Sequence, residues 1–393
     1  MTTKKKRLTK EIVEKKVLTF EIFMNSDLSV FTSIDNDAAK AICKFKGTSL
    51  PLKGITDLST EVAEKLRWVR SESLNLDGLT SLSDGVADQL SKFIGQSLSL
   101  NGVTSPSDAA VESLSRFAGK SLILNGLRNL SNAAAESLGR FAGEELGLNG
   151  LRNLSNTAAE SLSRLTGKKL ELNGLMSLSD AAAESLGNFD RYSLSLEGLT
   201  NLSEETAGDV CKSNMKEIKL DALDGMSDAV AKRLSQFSGD RITISVRNLS
   251  DAAAESLSKF RGEELNFDVL QSLTAEAAER LSKFKGHTLQ LHSGNTGLIL
   301  SDEAMARLSR FTGKSLIFKG LTSLSEIAAE KLSRFEGCEL WLGGLKEIWE
   351  EIHLSDTAAN SLSKFEGDLW LNLNGLPESA VSILRKHPSF TNW

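Results

Sequence analysis

The chain has 393 residues, of which 40% are hydrophobic and 25% are charged, and its formal net charge is −6. This composition excludes an intrinsically disordered chain, and the mildly acidic balance disfavours binding to nucleic acid. No apolar run has the character of a signal peptide or a membrane-spanning helix, so no membrane association is expected. The three cysteines are far apart and form no CxxC pair, which predicts a reducing compartment, here the cytoplasm, and no metal site. No other cofactor is expected.

Residues 1–47 are predicted to form an N-terminal capping helix followed by a degenerate first repeat. The helix is expected in the segment KEIVEKKVL, with Thr9 as its N-cap and Leu8 packed against Val13. Pro51 lacks the N–H that a strand donates to its neighbour and therefore suits the edge of a sheet. Regular strand pairing is thus expected to fail on the N-terminal side of this residue.

Residues 48–376 are predicted to be an array of repeats with a period of 24 residues. Counted with the degenerate first copy, about fifteen copies cover nearly the whole chain. The later copies vary in length, and the last assignment is the weakest. The Leu-x-Leu pairs that mark the copies begin at Leu50, Leu74, Leu98, Leu122, Leu146, Leu170, Leu194, Ile218, Ile242, Leu265, Leu289, Leu316, Leu340 and Leu371.

Each copy is predicted to consist of a strand, a turn, a helix and a second turn. Leu122 and Leu124 alternate as in a strand with one buried face, and Gly126 is expected to end that strand by allowing a turn. Leu130, Ala134, Leu138 and Phe141 then follow at helical spacing. Ser131 lies where an N-cap belongs, and Gly143 where the helix is expected to stop.

The recurring pattern Leu-x-Leu-x-x-Leu-x-x-Leu-Ser-Asp-x-x-Ala-x-x-Leu resembles the leucine-rich repeat, and most closely its cysteine-containing class and similar bacterial proteins. The resemblance covers roughly residues 26–384 and implies an α/β solenoid, or horseshoe, with a parallel β-sheet on the concave face and short helices on the convex face. The family's buried Asn or Cys is replaced by leucine here, as at Leu127 and Leu151. The family's hydrogen-bonded ladder at that turn is therefore expected to be absent or replaced.

The repeat breaks in three places and ends before residues 377–393, which are predicted to form a C-terminal cap. Residues 203–225 lose the Phe and Gly of the helix end, residues 291–300 carry an insertion of three, and residues 342–354 carry one of six. Phe390 and Trp393 are expected to cover the last copy. Insertions in a solenoid lie in loops on one rim, which is a common position for binding residues.

The candidate binding residues lie in the C-terminal third. Position 123 and its equivalents point out of the sheet, and this column ends in Gln290, Ile317 and Trp341. Exposed tryptophans are good binding anchors. For Trp349 and Trp370, packing into the C-terminal cap is the alternative interpretation. The full candidate set is Gln290, His292, Ile317, Trp341, Trp349, His353 and Trp370, with Trp370 placed just before the last strand.

The function expected from the resemblance and from a long rigid surface is protein binding by a non-enzymatic scaffold, as a monomer. The chain shows no HExxH, Gly-x-Ser-x-Gly, P-loop or dinucleotide-binding motif, and its histidines are more simply explained as solvated. Binding of a carbohydrate or small ligand by the C-terminal tryptophans is the alternative. An enzyme built on the irregular loops, or a nucleic-acid binder, has less support.

Overall fold

A computed structural model describes residues 6–16, 28–45, 47–189, 193–212, 215–294, 296–321, 323–343 and 354–390. Strand and helix alternate along these residues, as the repeat predicts. The chain divides into two units, Met1–Gly198 and Leu199–Trp393. Among the helices described, none is both long enough and apolar enough to cross a lipid bilayer.

The first unit contains a small parallel pair of strands and then a series of parallel strands joined by helices. Among the strands of the described residues, β1 and β2 pair only with each other, and β3 to β9 pair in chain order. Its strands are β1 (Arg7–Leu8), β2 (Ser33–Ile34), β3 (Ser49–Pro51), β4 (Ser73–Asn75), β5 (Ser97–Ser99), β6 (Ser121–Ile123), β7 (Glu145–Gly147), β8 (Lys169–Glu171) and β9 (Ser193–Ser195). Its helices are α1 (Lys10–Lys16), α2 (Asn36–Ile42), α3 (Thr60–Leu66), α4 (Asp84–Leu90), α5 (Asp108–Ser115), α6 (Asn132–Leu138), α7 (Asn156–Ser163) and α8 (Asp180–Gly187), and Leu28–Val30 is a short 3₁₀ helix.

The second unit repeats the plan with longer strands, which also pair in parallel and in chain order. Its strands are β10 (Glu217–Leu220), β11 (Arg241–Ser245), β12 (Glu264–Asp268), β13 (Thr288–His292), β14 (Ser315–Lys319), β15 (Glu339–Gly343) and β16 (Asp368–Leu371). Its helices are α9 (Glu204–Cys211), α10 (Asp228–Leu234), α11 (Asp251–Leu257), α12 (Ala275–Leu281), α13 (Asp302–Leu308), α14 (Glu326–Leu332), α15 (Asp356–Leu362) and α16 (Glu378–Leu384), and Pro388–Phe390 is a 3₁₀ helix.

The leucines of the repeat form the core, as predicted. Leu122 and Leu124 are fully buried, and the register aligns Leu122 with Leu98 on one side and Leu146 on the other. Burying one leucine side chain stabilises a fold by about 1.5–3 kcal/mol. Because a single copy cannot enclose its own leucines, this stabilisation arises only when neighbouring copies stack.

Each helix of the repeat begins where predicted but ends earlier. Ser131 has extended backbone angles, and its hydroxyl accepts the N–H of Ala134 at 3.0 Å, as an N-cap does. The prediction that the helix continues to Gly143 is wrong, because α6 ends at Leu138. Phe141 lies in the turn beyond, where its N–H donates to the Leu138 carbonyl at 2.9 Å and its ring is fully buried. The ring therefore packs from a turn and not from the helical stripe.

Gly126 is required by space and not by backbone angle. Its φ is not positive, so the turn conformation that the sequence suggested for it is not the reason for glycine. A Cβ atom at this position would lie 2.1 Å from the backbone oxygen of Asn101 in the preceding repeat. Consecutive turns approach so closely that only glycine fits.

The family's hydrogen-bonded ladder is replaced by another column of side chains. Its members lie two residues before the leucine that occupies the family's Asn or Cys position. Asn125 Oδ1 accepts the backbone N–H of Asn149 at 2.9 Å, and the same contact recurs from copy to copy. The first acceptor in the column is an aspartate, Asp77, which accepts the N–H of Asn101 at 2.9 Å. These contacts satisfy backbone donors of the turns, so leucine is free to occupy the family's polar position.

The N-terminal end agrees with the expectation for Pro51. Strand β3 is the first strand of its series, and β2 pairs with β1 instead. Leu8 and Val13 are both fully buried, as a contact between them at the start of α1 requires. We propose that residues 1–47 and 377–393 act as caps of the array at residues 48–376.

The last strand begins two residues earlier than the sequence suggested. The register pairs Leu340 with Leu369 and Leu342 with Leu371, so the assignment of Leu371 as the first leucine of this copy is wrong. Trp370 consequently lies within β16 and not before it. This correction places Trp370 in the outward column of the sheet.

Candidate functional site

The outward column predicted from alternation is present in the second unit. The register aligns these residues as direct neighbours on successive strands, with side chains on the face opposite the buried leucines. The column contains Thr243, Asn266, Gln290, Ile317, Trp341 and Trp370. It changes from polar to aromatic towards β16, and we call the outward side of β12–β16 the C-terminal face.

Trp341 and Trp370 form a stacked pair at the aromatic end of this face. Their ring centroids are 5.1 Å apart with an interplanar angle of 13°, and their exposed fractions are 37% and 48%. A Cβ at position 343 would lie 2.3 Å from Trp341 Nε1, so Gly343 provides the space that the indole occupies. The pair presents a large, positioned apolar surface to solvent, a property typical of binding anchors.

Lys319 lies beside this aromatic pair at the end of β14. Its Nζ is 6.0 Å from the centre of the Trp341 ring, at the outer limit of a cation–π contact. No carboxylate within the described part of the chain forms a salt bridge with Lys319. Ile317 lies next to Trp341 in the register and is half-buried. One cationic group thus borders an apolar surface.

His292 and Gln290 lie on β13 in the polar half of the face. His292 Nδ1 is 3.1 Å from Asp268 Oδ1, and because a carboxylate only accepts, this contact places the hydrogen on Nδ1. His292 is the last residue of β13, and 34% of its side chain is exposed. The contact with Asp268 fixes the orientation of the His292 ring, and Nε2 is the other polar atom of that ring.

Val269, which follows Asp268, has a φ of +62°. A β-branched residue in the left-handed region is a true outlier and carries strain of about 1–3 kcal/mol. This strain lies at the end of β12, beside the Asp268–His292 pair. Sequence reasoning could not identify it, since valine is the last residue type that such a conformation suggests.

The other charges on the outward side of the second unit mostly neutralise one another. Arg241 forms two hydrogen bonds with Glu264, at 2.5 and 2.7 Å, and lies 3.6 Å from Glu217. The Arg241 guanidinium lowers the pKa of the Glu264 carboxyl, chiefly through this hydrogen bonding. These groups are therefore paired within the protein.

Two further candidates from the sequence, Trp349 and His353, lie outside the described residues. The structure therefore brings together Gln290, His292, Ile317, Trp341 and Trp370 on one face.

A groove of about 640 Å³ opens beside Trp370, between β16 and the segment after α16. The residues 368–374 form one wall, and Arg385, Ser389 and Phe390 contribute to the other. The sequence identified Phe390 as a covering residue, but it gave no signal for Arg385. Only the corrected position of β16 shows that these residues face one another.

The cysteines are unpaired, and burial raises the pKa of the Cys211 thiol to about 12. Cys338 is exposed. No cluster of three or more potential metal ligands occurs within the described ranges.

No protein-family model matches the chain, and no curated protein matches its sequence. Solved structures of similar fold include three leucine-rich-repeat proteins. A leucine-rich-repeat protein of Leptospira interrogans has a TM-score of 0.43 and 18% identity, over 86% of this chain and 93% of that one. The Toll protein of Drosophila, in its complex with Spätzle, has a TM-score of 0.49 and 13% identity, over 82% of this chain and 47% of that one.

The third is TLR13 in complex with single-stranded RNA, with a TM-score of 0.49 and 16% identity over 91% of this chain and 57% of that one. The chain thus spans about half the length of the last two proteins. The repeating unit of the chain is a parallel strand with inward leucines, a tight turn, a capped helix and a second turn. The chain has an α/β leucine-rich-repeat fold.

Proposed function

We propose that the protein is a non-enzymatic scaffold that binds a partner protein through the C-terminal face. The observation that carries the proposal is the exposed, stacked pair of Trp341 and Trp370 on a rigid sheet. Most binding energy in protein interfaces comes from a few buried anchors, and tryptophan is among the commonest. A preformed surface also loses little conformational entropy on binding.

The neighbours of the tryptophans indicate what the partner presents. Ile317 extends the apolar surface, while Lys319 offers a cation that no described carboxylate pairs. Gln290 and the Asp268–His292 pair supply polar groups at the other side. We therefore expect the partner to place an apolar side chain over the tryptophans and a carboxylate near Lys319.

Affinity purification with the wild-type chain and with Trp341→Ala, followed by mass spectrometry, tests this proposal. Trp68→Ala is the matched control, because Trp68 is 55% exposed but lies in the first unit. A partner that binds the C-terminal face is lost from Trp341→Ala and retained by Trp68→Ala. Equal recovery with both variants would reject this placement of the interface.

Carbohydrate binding is the second candidate, because an exposed indole face can stack on a sugar ring. One face of Trp370 is covered by Trp341, whereas the groove beside Trp370 also contains the side chains of Asn372, Asn374 and Arg385. A glycan array, followed by titration of the tryptophan fluorescence, separates this candidate from protein binding. A saturable fluorescence change with a glycan that Trp370→Ala abolishes would favour it.

We further propose that the protein acts in the cytoplasm as a monomer, without nucleic-acid or membrane partners. The support is the mild net charge of −6, the pairing of Arg241 with Glu217 and Glu264, and the free cysteines. Equilibrium sedimentation of the purified chain measures the oligomeric state directly.

A further inference from the structure

The edge of β16 carries backbone groups that no described residue satisfies. Asp368 donates its N–H to Cys338 and so faces β15. Because backbone groups alternate in direction along a strand, Leu369 and Leu371 face away from β15. The Leu369 N–H donates to Ser389 Oγ at 2.9 Å, whereas the Leu371 N–H and the Leu369 carbonyl have no partner in the described part of the chain.

The groove of about 640 Å³ lies along this edge and matches an extended peptide. The extended part of its β16 wall runs from Asp368 to Leu371, three steps of ~3.3 Å, which gives a length of about 10 Å. The other wall belongs to the segment after α16. A peptide with three or four central residues in the β conformation fits this length.

The repeats show which hydrogen bonds such a peptide would make. In the first unit, the Leu100 N–H donates to the Ile123 carbonyl at 2.9 Å on the next strand. Leu371 is the equivalent of Leu100 in the copy of β16. Ile123 is the equivalent of Trp370, so the peptide residue placed beside Trp370 would take the role of Ile123. A peptide placed as the next strand would thus accept the Leu371 N–H and donate to the Leu369 carbonyl.

The side chains of the groove define the sequence that the peptide needs. Leu369 and Leu371 are buried on the inner side of β16, so alternate residues of the peptide must be apolar to continue that layer. The residue between them would point outward and cover the free face of Trp370. This is the pattern of the chain's own strands, in which Ile317 lies next to Trp341.

We propose that the edge of β16 binds an extended segment of a partner protein as an additional parallel strand. This interface adjoins the C-terminal face and shares Trp370 with it, but its specificity arises from backbone hydrogen bonds at the edge and from the indole face that Trp341 leaves free. Strand addition at an exposed edge is a known mode of peptide recognition, in which backbone bonds give affinity and alternate side chains give specificity.

The test uses the full chain and a fluorescein-labelled peptide, KSLIFKG, with the sequence of residues 314–320. Fluorescence anisotropy should show saturable binding below 1 mM. In the proposed register the N–H of the peptide isoleucine bonds to Leu369, and the N–H of its phenylalanine points away. N-methylation at the isoleucine should weaken binding at least tenfold, whereas N-methylation at the phenylalanine should change it less than threefold.

Two protein variants complete the test. Trp370→Ala should weaken binding of the peptide several-fold, and Trp68→Ala should not. Equal effects of the two N-methylations, or no saturable binding, would overturn the proposal. Dimerisation of the chain that the peptide inhibits would also overturn it, because a second copy of the chain, and not a partner protein, would then occupy the edge. None of these readouts requires the partner of the C-terminal face, so either proposal can fail alone.

Discussion

Replacing Ser131 by alanine removes two contacts at the start of α6, one within the helix and one to the preceding repeat. The Ser131 hydroxyl accepts the Ala134 N–H at 3.0 Å and donates to Asp108 Oδ1 at 2.5 Å. Loss of an N-cap of this kind costs about 1 kcal/mol. Loss of the hydrogen bond to the aspartate adds ~0.5–1 kcal/mol, a value kept low because the contact is exposed to solvent. We therefore expect Ser131→Ala to lower the local free energy of unfolding of α6 by about 1.5–2 kcal/mol in total.

Hydrogen–deuterium exchange with mass spectrometry is the appropriate assay, since repeats contact mainly their neighbours and the destabilisation should remain local. A loss of 1.4 kcal/mol corresponds to a tenfold change in the equilibrium constant of local opening. Amide exchange in α6 should therefore accelerate roughly 10- to 30-fold. Ser131→Thr keeps the hydroxyl and is the control for the substitution itself.

Ser155 provides an internal comparison, because its hydroxyl donates to the neutral Asn132 at 2.7 Å instead of a carboxylate. Ser155→Ala should therefore accelerate exchange in α7 less than Ser131→Ala does in α6. Asp108→Ala should produce only the smaller, inter-repeat part of the effect. A change below twofold in α6 for Ser131→Ala would refute the assignment of these contacts as stabilising.

Two further predictions concern strain and reactivity. Val269→Asn should raise the thermal midpoint, with a gain of about 0.5–1 kcal/mol, because asparagine tolerates a φ of +62° better than valine does; a lower midpoint would show that the valine side chain contributes more than its strain removes. Because burial raises the pKa of Cys211 to about 12, its thiol stays protonated and unreactive from pH 7 to pH 9. Iodoacetamide at pH 8 should therefore alkylate the exposed Cys338 and spare Cys211 in the native protein, as peptide mass mapping can measure, and rapid alkylation of both would contradict this burial.

The sequence predicts the repeating fold well because its signals are local and redundant. Leucines such as Leu122 recur at a fixed period, and each strand shows the same alternation, so errors in one copy do not affect the rest. N-caps such as Ser131 are predicted correctly because their signal is the residue itself. The helix ends are not, because Phe141 keeps helical spacing although it packs from a turn.

The register of the last strand illustrates a different difficulty. The sequence DLWLNLNG contains three alternating leucines, and a shift of two residues leaves every leucine on the same face. Alternation therefore cannot choose between Leu369 and Leu371 as the first leucine. The structure pairs Leu369 with Leu340, and this choice determines that Trp370 stacks on Trp341.

Part of the candidate site was predictable and part was not. The outward direction of Gln290, Ile317 and Trp341 follows from strand alternation alone. The pairing of His292 with Asp268 depends on which side chains meet across neighbouring strands, 24 residues apart in sequence. The groove beside β16 depends on the corrected register, so no reading of single residues could reveal it.

The central claim is that a partner protein binds the C-terminal face through its tryptophans. Once affinity purification supplies that partner, the most direct measurement is its dissociation constant for the wild-type chain, Trp341→Ala and Trp68→Ala by isothermal titration calorimetry. An anchor residue of this type contributes about 2–4 kcal/mol, so Trp341→Ala should bind roughly 30- to 1000-fold more weakly and Trp68→Ala like the wild type. Equal dissociation constants for all three proteins would contradict the account.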